Sequence, residues 1–414
     1  MTEHRPDVLV IGAGLAGLLC ATTLESRGHT VEVIEAGDDV GGRVRTDVID
    51  GFRCDRGFQL INPAYPAIKK FIDGTALDLR TFDAGVAVTG RTGTKVLGDP
   101  RRSPRLLGRT LTSGYLNPLE LARLGRWAAP SLGSVRRLIS SPDTDLKHSL
   151  DRAKVTGRLR HEVLEPFLTG VVADASGATS ANFTRLLLRS FLLRTPGVPA
   201  TGMSALPMQL AARLRRPVDL GIRALELTGS GGALVVRTDQ GDRTARVVVV
   251  ATDPVTAAAL LTTPVPTMKG LRTYWFSTQE APTQRNLLFV DSAGRAGGPV
   301  VNTAVMTHAA PGYAPTGRHL VQATTLLPDE ADEVEVRRHL ARMYGASTTD
   351  WDLVIRHDIT GALPTQGAPL VHRQPVDLGD GLFVAGDHRD TASIQGALVS
   401  GRRAANAVTA HLGH

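Results

Sequence analysis

The hydrophobic pattern opens with Val8, Leu9, Val10 and Ile11, an unbroken apolar run of the kind found in buried parallel strands. Gly12-Ala13-Gly14-Leu15-Ala16-Gly17 follows. A helical stretch, LLCATTLESRG, then ends at Gly28. Val31, Val33 and Ile34 mark a second strand with Glu35 at its tip. The pattern recurs near the other end of the chain. Residues 382–385 are apolar, Gly386-Asp387 makes a turn, and a helix is expected from about Gly396. Its Gly396-Ala397, Ser400-Gly401 and Ala404-Ala405 pairs keep that helix slim. RTARVVVVATDPVTAAALL, at 243–261, repeats the strand–turn–helix order. Just before it, VDLGIRALELTGSGGALVVRTDQGD reads as three short strands with turns at GSGG and DQGD.

Between these units the pattern changes. The stretch after residue 76 reads as helices. LGDPRRSPRLLGRTLTSGYLNPLELARLGRWAAP interleaves Arg101, Arg102, Arg105, Arg109, Arg123 and Arg126 with Leu106, Leu107, Leu119, Leu121, Leu124 and Trp127. Such a basic amphipathic helix can lie on an anionic membrane; the alternative is a solvated lobe covering an active site. TGVVADASGATSANFTRLLLRSFLL and GVPATGMSALPMQLAARL read as a helix pair and a return to the first domain. GLRTYWFST and RHLVQATTLL read as strands of a sheet in the second domain. The expected organisation is α/β. A Rossmann-like nucleotide-binding domain (1–75, 205–262, 373–414) is interleaved with a mixed-sheet plus helical substrate domain (76–204, 263–372).

Each part of the first turn has a physical task. Gly12 permits the tight turn, Gly14 lets the backbone approach a pyrophosphate, and Gly17 lets helix and strand pack closely. The helix start, with Leu15 and Ala16, points unpaired N–H groups at phosphate charge. Glu35, followed by Ala36, can accept hydrogen bonds from a ribose and would repel the 2′-phosphate of NADP. Gly41 and Gly42 bring up a second backbone segment. Arg43 adds a fork-shaped cation suited to a phosphate or a flavin carbonyl.

Composition narrows the reading. The 414 residues suggest two domains. With 42% hydrophobic and 21% charged residues, the chain is ordinary for a soluble globular protein. The two cysteines, Cys20 and Cys54, make neither a disulfide framework nor a metal site, so a reducing cytoplasm is expected. Cys20 reads as a buried free thiol. MTEHRPDVLVIGAG shows no signal-peptide pattern, and no run approaches the ~20 apolar residues of a membrane span. The net charge of +7 could draw nucleic acid, anionic lipid or acidic substrate, or belong to a solvated surface; no nucleic-acid partner is expected. There is no serine elbow, no HExxH and no P-loop, so hydrolase, metalloprotease and kinase readings lack support.

With Glu35, Gly41-Gly42-Arg43 and Thr46, the chain resembles the flavin amine oxidase superfamily, which includes protoporphyrinogen oxidases and plant-type phytoene desaturases. DRGFQLINPAYP resembles the segment that follows in bacterial FAD-dependent members. About half the chain carries the resemblance. It implies one long cofactor, non-covalent FAD, held at both ends. The first unit would take the adenine end and the C-terminal unit the flavin end. Asp387, after Gly386, would face the ribityl–pyrophosphate portion. Backbone N–H groups at Ile394, Gln395 and Ala397 would face the flavin's pyrimidine carbonyls. Gly57 and Phe58 would line the ring, and Ala224 would touch the adenine.

The reacting groups are less legible. Ser393 stands where amine oxidases of the superfamily often place a cage tyrosine, and Lys269 is three residues out of register with their flavin-side lysine. AGDHRDTASIQGALVSGRRAA is spaced more like plant-type desaturases. Pocket candidates are Phe58, Gln59, Tyr274, His308 and His388. Their plainer readings are core for Tyr274, a turn for His308 and surface for His388. The expected activity is hydride abstraction by flavin from a C–N or C–C unit of a small or lipophilic substrate. The alternatives are a classical monoamine or polyamine oxidase, a redox-neutral flavin-dependent isomerase, or a flavin protein without turnover. A monomer or homodimer is expected, and peripheral membrane contact is considered for the basic segment.

Overall fold

The computed structural model describes residues 5–229 and 233–413. Residues 1–4 and residues 230–232 of the expected GSGG turn lie outside the described residues.

The apolar run Val8–Ile11 becomes the central strand of a five-stranded parallel sheet. Its neighbours are Val31–Glu35 on one side and Val247–Val250 on the other, with Val8 opposite both Val31 and Val247. Leu382–Val384 adds beyond Val247–Val250, and the short Asp219–Leu220 closes the other edge. All four pairings are parallel. The three strand–turn–helix units read from the pattern therefore lie side by side. Ala224–Thr228, Leu234–Thr238 and Gly241–Ala245 form the separate three-stranded antiparallel sheet.

A seven-stranded mixed sheet makes up the second layer. Its order is Asp352–Pro364, Met268–Thr278, His319–Leu327, Val300–Val305, Leu288–Asp291, Gly85–Gly90 and Gly93–Gly98. The last two strands correct the reading of 76–204 as helices. Gly85-Val-Ala-Val-Thr-Gly90 pairs antiparallel with Gly93–Gly98 and parallel with Leu288–Asp291. Leu79–Thr81 likewise pairs with Gly197–Pro199. These strands are short and flanked by glycine, so their periodicity hardly registers in sequence.

Alternation along Met268–Thr278 sends side chains to opposite faces. Trp275 enters the core shared with the parallel sheet, while Tyr274 and Phe276 enter a second core under the helix Glu333–Tyr344. The basic segment is not one helix. Pro104, Gly114, Pro118, Pro130 and Gly133 punctuate it into Leu107–Leu111, Pro118–Ala128 and Val135–Ile139, with 3₁₀ turns at Pro104–Leu106 and Ala129–Leu132. Among the described residues, no helix is long and apolar enough to cross a membrane.

Candidate functional site

The first turn is built by backbone. Gly12 adopts φ +103° and donates its N–H to Ile34 O at 2.8 Å. A Cβ on Gly17 would overlap the Gly12 carbonyl, so only glycine lets the helix Leu15–Glu25, with Leu15 and Ala16 buried, sit this close. At Gly14 the case is different: a Cβ would meet no heavy atom within 4 Å. The missing side chain faces open space, as backbone approach by a ligand requires.

Glu35 is drawn into the turn. Its Oε2 accepts from Ala13 N–H at 2.8 Å and its Oε1 from Gly37 N–H at 2.8 Å. The carboxylate shapes the turn while each oxygen keeps a further lone pair for a ligand hydroxyl. Ala36 is exposed just beyond it. Gly221 and Ile222 donate their N–H groups to Gly37 O and Glu35 O, which brings the strand beginning at Ala224 alongside.

The second glycine segment docks on the first. Gly41 N–H donates to Ala13 O at 2.8 Å, and Gly14 and Gly41 form a parallel bridge next to Gly42. Arg43 then reaches across the molecule. Its guanidinium donates to Asp387 Oδ1 at 2.5 Å and to Ala362 O at 2.9 Å. Asp387 is 5% exposed by side chain and Arg43 30%. Burial lowers the Arg43 pKa, but Asp387 and Asp253 outweigh it and leave it raised.

The C-terminal unit follows. Gly386 N–H donates to Ser400 Oγ at 3.0 Å. The helix starts at Ile394, two residues earlier than expected, because Ser393 caps it by accepting from Gly396 N–H. The amides of Ile394 and Gln395 fall in the first turn, where no intrahelical acceptor exists. Ala397 N–H bonds Ser393 O, and the Gln395 side chain accepts from Ala67 N–H.

The candidate reacting groups separate. Gln59, beside Gly57 and Phe58, donates to Arg43 O at 2.6 Å and Arg56 O at 3.1 Å, and its Oε1 is buried without a partner among the described residues. His388 joins the site at Asp387. Burial pushes its pKa down to about 4, and its Nδ1 is also buried without a partner among the described residues. Tyr274 does not belong to the site. It is fully buried in the second core, bonded to Ala331 O, because its register on the strand points it away from the parallel sheet. His308 is also elsewhere: it bonds the Thr283 carbonyl and packs beside His319. Lys269 is held by Thr179 Oγ1, Val172 O and Asp174, and burial lowers its pKa.

Asp55 is a buried structural hub that the sequence reading missed. Its carboxylate accepts from Thr46 Oγ1, Met203 N–H and Tyr313 O–H, and burial raises its pKa to about 6. It pins the hairpin after Arg43 to two distant segments. DRGFQL carries the residue openly, but its partners lie too far along the chain to signal it. Asp253 was also missed. It caps the helix Pro254–Leu261 and acts electrostatically on Arg43 and His388.

Over residues 15–409 the chain matches the family of flavin containing amine oxidoreductases. It belongs to that family. A curated relative, putrescine oxidase from Kocuria rosea, is 28% identical over 250 residues, covering 56% of this chain and 51% of that protein. The chain thus spans about half the length of this curated relative. A candidate protoporphyrinogen oxidase structure from Exiguobacterium superposes with TM-score 0.75 at 20% identity, covering 99% of this chain and 100% of that one. Cyclohexylamine oxidase from Brevibacterium oxydans gives TM-score 0.72 at 14% identity, covering 99% and 100%. At these identities the structural likeness shows the fold. The family is flavin-containing, and the residues around the two turns suit such a group. Gly14 faces open space, Glu35 keeps free lone pairs, and Gln59 Oε1 and His388 Nδ1 hold unused hydrogen-bonding capacity.

Proposed function

We propose that this chain is an FAD-dependent oxidoreductase that binds FAD non-covalently and takes a hydride from a C–N or C–C unit of an organic substrate. The observation that carries the reading is the Arg43–Asp387 bridge, which ties the Gly41-Gly42 segment docked on the first glycine turn to the last turn. A single long cofactor laid along both turns explains why the chain has two. Gly14, Glu35, Gly41 and Gly42 would hold its nucleotide end, and Gly57, Phe58, Asp387 and the first-turn amides of Ile394–His411 its flavin end. FAD supplies the hydride acceptor. The protein's part is to orient the substrate, exclude water and place helix-terminal amides where negative charge develops.

The relatives' names point to amines and to a porphyrinogen. Two features of this chain weaken a classical amine-oxidase reading, and a third supports a lipophilic substrate. Ser393 is a helix cap, not an aromatic wall, and Lys269 is tied to Asp174 and Thr179. Val172, Phe183 and Ala392, with Leu187, Leu363 and Leu370 packed on them, form an apolar cluster at the segment leading into the C-terminal helix.

Anaerobic mixing tests this reading. The purified yellow protein is exposed to amines, amino acids, porphyrinogens and polyenes while flavin absorbance is followed. Bleaching by a porphyrinogen or polyene alone is expected. Bleaching by an amine assigns the C–N chemistry instead. A protein that purifies without flavin overturns the proposal.

A further inference from the structure

The net charge of the molecule is concentrated in one place. Residues 100–140 contain eight arginines, no lysine and one acid, Glu120, a net +7 that equals the charge of the whole chain. Part of it is neutralised locally, since Arg101 and Arg102 pair with Asp99 and Arg105 with Asp83. Arg109, Arg123, Arg126, Arg136 and Arg137 form no salt bridge among the described residues; all but the half-buried Arg123 are exposed. Glu120 does not offset them outwardly, because its carboxylate packs toward Gly157 with a buried oxygen.

The same short helices expose large apolar side chains. Leu111 is 62% exposed, Leu119 58% and Leu132 61%, with Leu107, Leu121 and Val135 also open to solvent. On Pro118–Ala128, Trp127 faces inward while Leu119, Leu121 and Arg126 lie on the solvent side. Single exposed leucines are ordinary, but a run of them set among unpaired arginines is not. Among the described residues these five arginines lack acidic partners, and the leucines lack cover.

We propose that the lobe formed by residues 104–139 docks on an anionic lipid bilayer, its arginines at the phosphate level and its leucines in the interface. The charge decides the occupant. Anionic headgroups supply the missing counter-charge, and the acyl boundary supplies the apolar contact that a soluble acidic partner lacks. Attachment is peripheral, since among the described residues no helix can span. The inference is independent of the flavin chemistry.

The test is vesicle flotation of the flavin-bound protein. One set of vesicles is pure phosphatidylcholine and the other an equimolar mixture with phosphatidylglycerol. Capture by the anionic vesicles only, weakening as salt rises, is expected. A variant carrying Arg109→Gln, Arg126→Gln, Arg136→Gln and Arg137→Gln should lose about fivefold in partitioning for each arginine removed. A variant carrying Leu111→Ser, Leu119→Ser and Leu132→Ser should also lose capture while keeping its flavin spectrum. If either variant fails to fold, the salt titration and lipid comparison on the unmodified chain still decide. No capture by anionic vesicles, equal capture by both vesicle types, or salt-insensitive capture overturns the proposal. So does a concentration-dependent dimer, abolished by the leucine variant, in place of vesicle binding.

Discussion

Arg43 and Asp387 stand 344 residues apart in sequence and 2.5 Å apart in space. The pair closes the nucleotide turn against the C-terminal turn, so it serves the cofactor site and the fold together. Asp387→Asn keeps the shape and removes the counter-charge. With the Arg43 charge left half-buried, the flavin-free chain should lose about 3 kcal/mol, the low end for breaking such a pair because Arg43 retains solvent. Urea unfolding measures this. An unchanged midpoint would show that the bridge contributes nothing.

Gly14 and Gly17 give a matched comparison. Gly14 has φ −72° and ψ 176°, open to any residue, and a Cβ there touches nothing. Gly14→Ala should therefore leave the flavin-free protein within about 0.5 kcal/mol of the parent. It should weaken flavin retention by about tenfold or more, since 1.4 kcal/mol of lost contact suffices. Gly17→Ala overlaps the Gly12 carbonyl and should give little folded protein. Circular dichroism and flavin absorbance, read side by side, separate the two. A fully yellow Gly14→Ala protein would mean that no ligand approaches at that turn.

Asp55, buried, and His388, half-buried, oppose each other in pH. Burial raises Asp55 to about 6 from its ordinary 3.8. The folded chain then holds an extra proton in that window, and stability falls as pH rises through it. Burial lowers His388 to about 4 from 6.5, so its contribution is lost as pH falls from 6.5 to about 4. Asp55→Asn can still accept from Thr46 and Met203 and can donate to Tyr313. Its melting temperature should gain on the parent as pH rises toward 6 and then level. His388→Asn should gain on the parent as pH falls below 6.5. Melting curves across the window check both signs; parallel curves would remove both groups from the acid response.

What the sequence disclosed was local. Val8–Ile11, the glycine turn and Val31–Glu35 are contiguous, so spacing alone places them in one unit. The strand Gly85–Gly90 was hidden because it and its hairpin partner Gly93–Gly98 are short and bounded by glycine, and its other neighbour, Leu288–Asp291, lies some 200 residues away. Asp55 was invisible as a hub for the same reason, with Met203 and Tyr313 as partners. Tyr274 was open to misreading because a strand's period says which residues share a face, not which face looks toward the site. That took the sheet order and the helix Glu333–Tyr344 covering the other side.

The last helix crosses the first so closely that a Cβ on Gly401 would overlap the Ala16 carbonyl. The order of biosynthesis gives that crossing a consequence. When the first turn leaves the ribosome, the backbone that must seat against Ala16 has not yet been translated. The parallel sheet lacks its Leu382–Val384 strand, and Arg43 has no carboxylate to meet. Capture of a ligand at both turns therefore waits until residues 382–401 have been made. A polypeptide that stalls before residue 382 emerges as an incomplete vessel for quality-control proteases, not as a weaker flavoprotein.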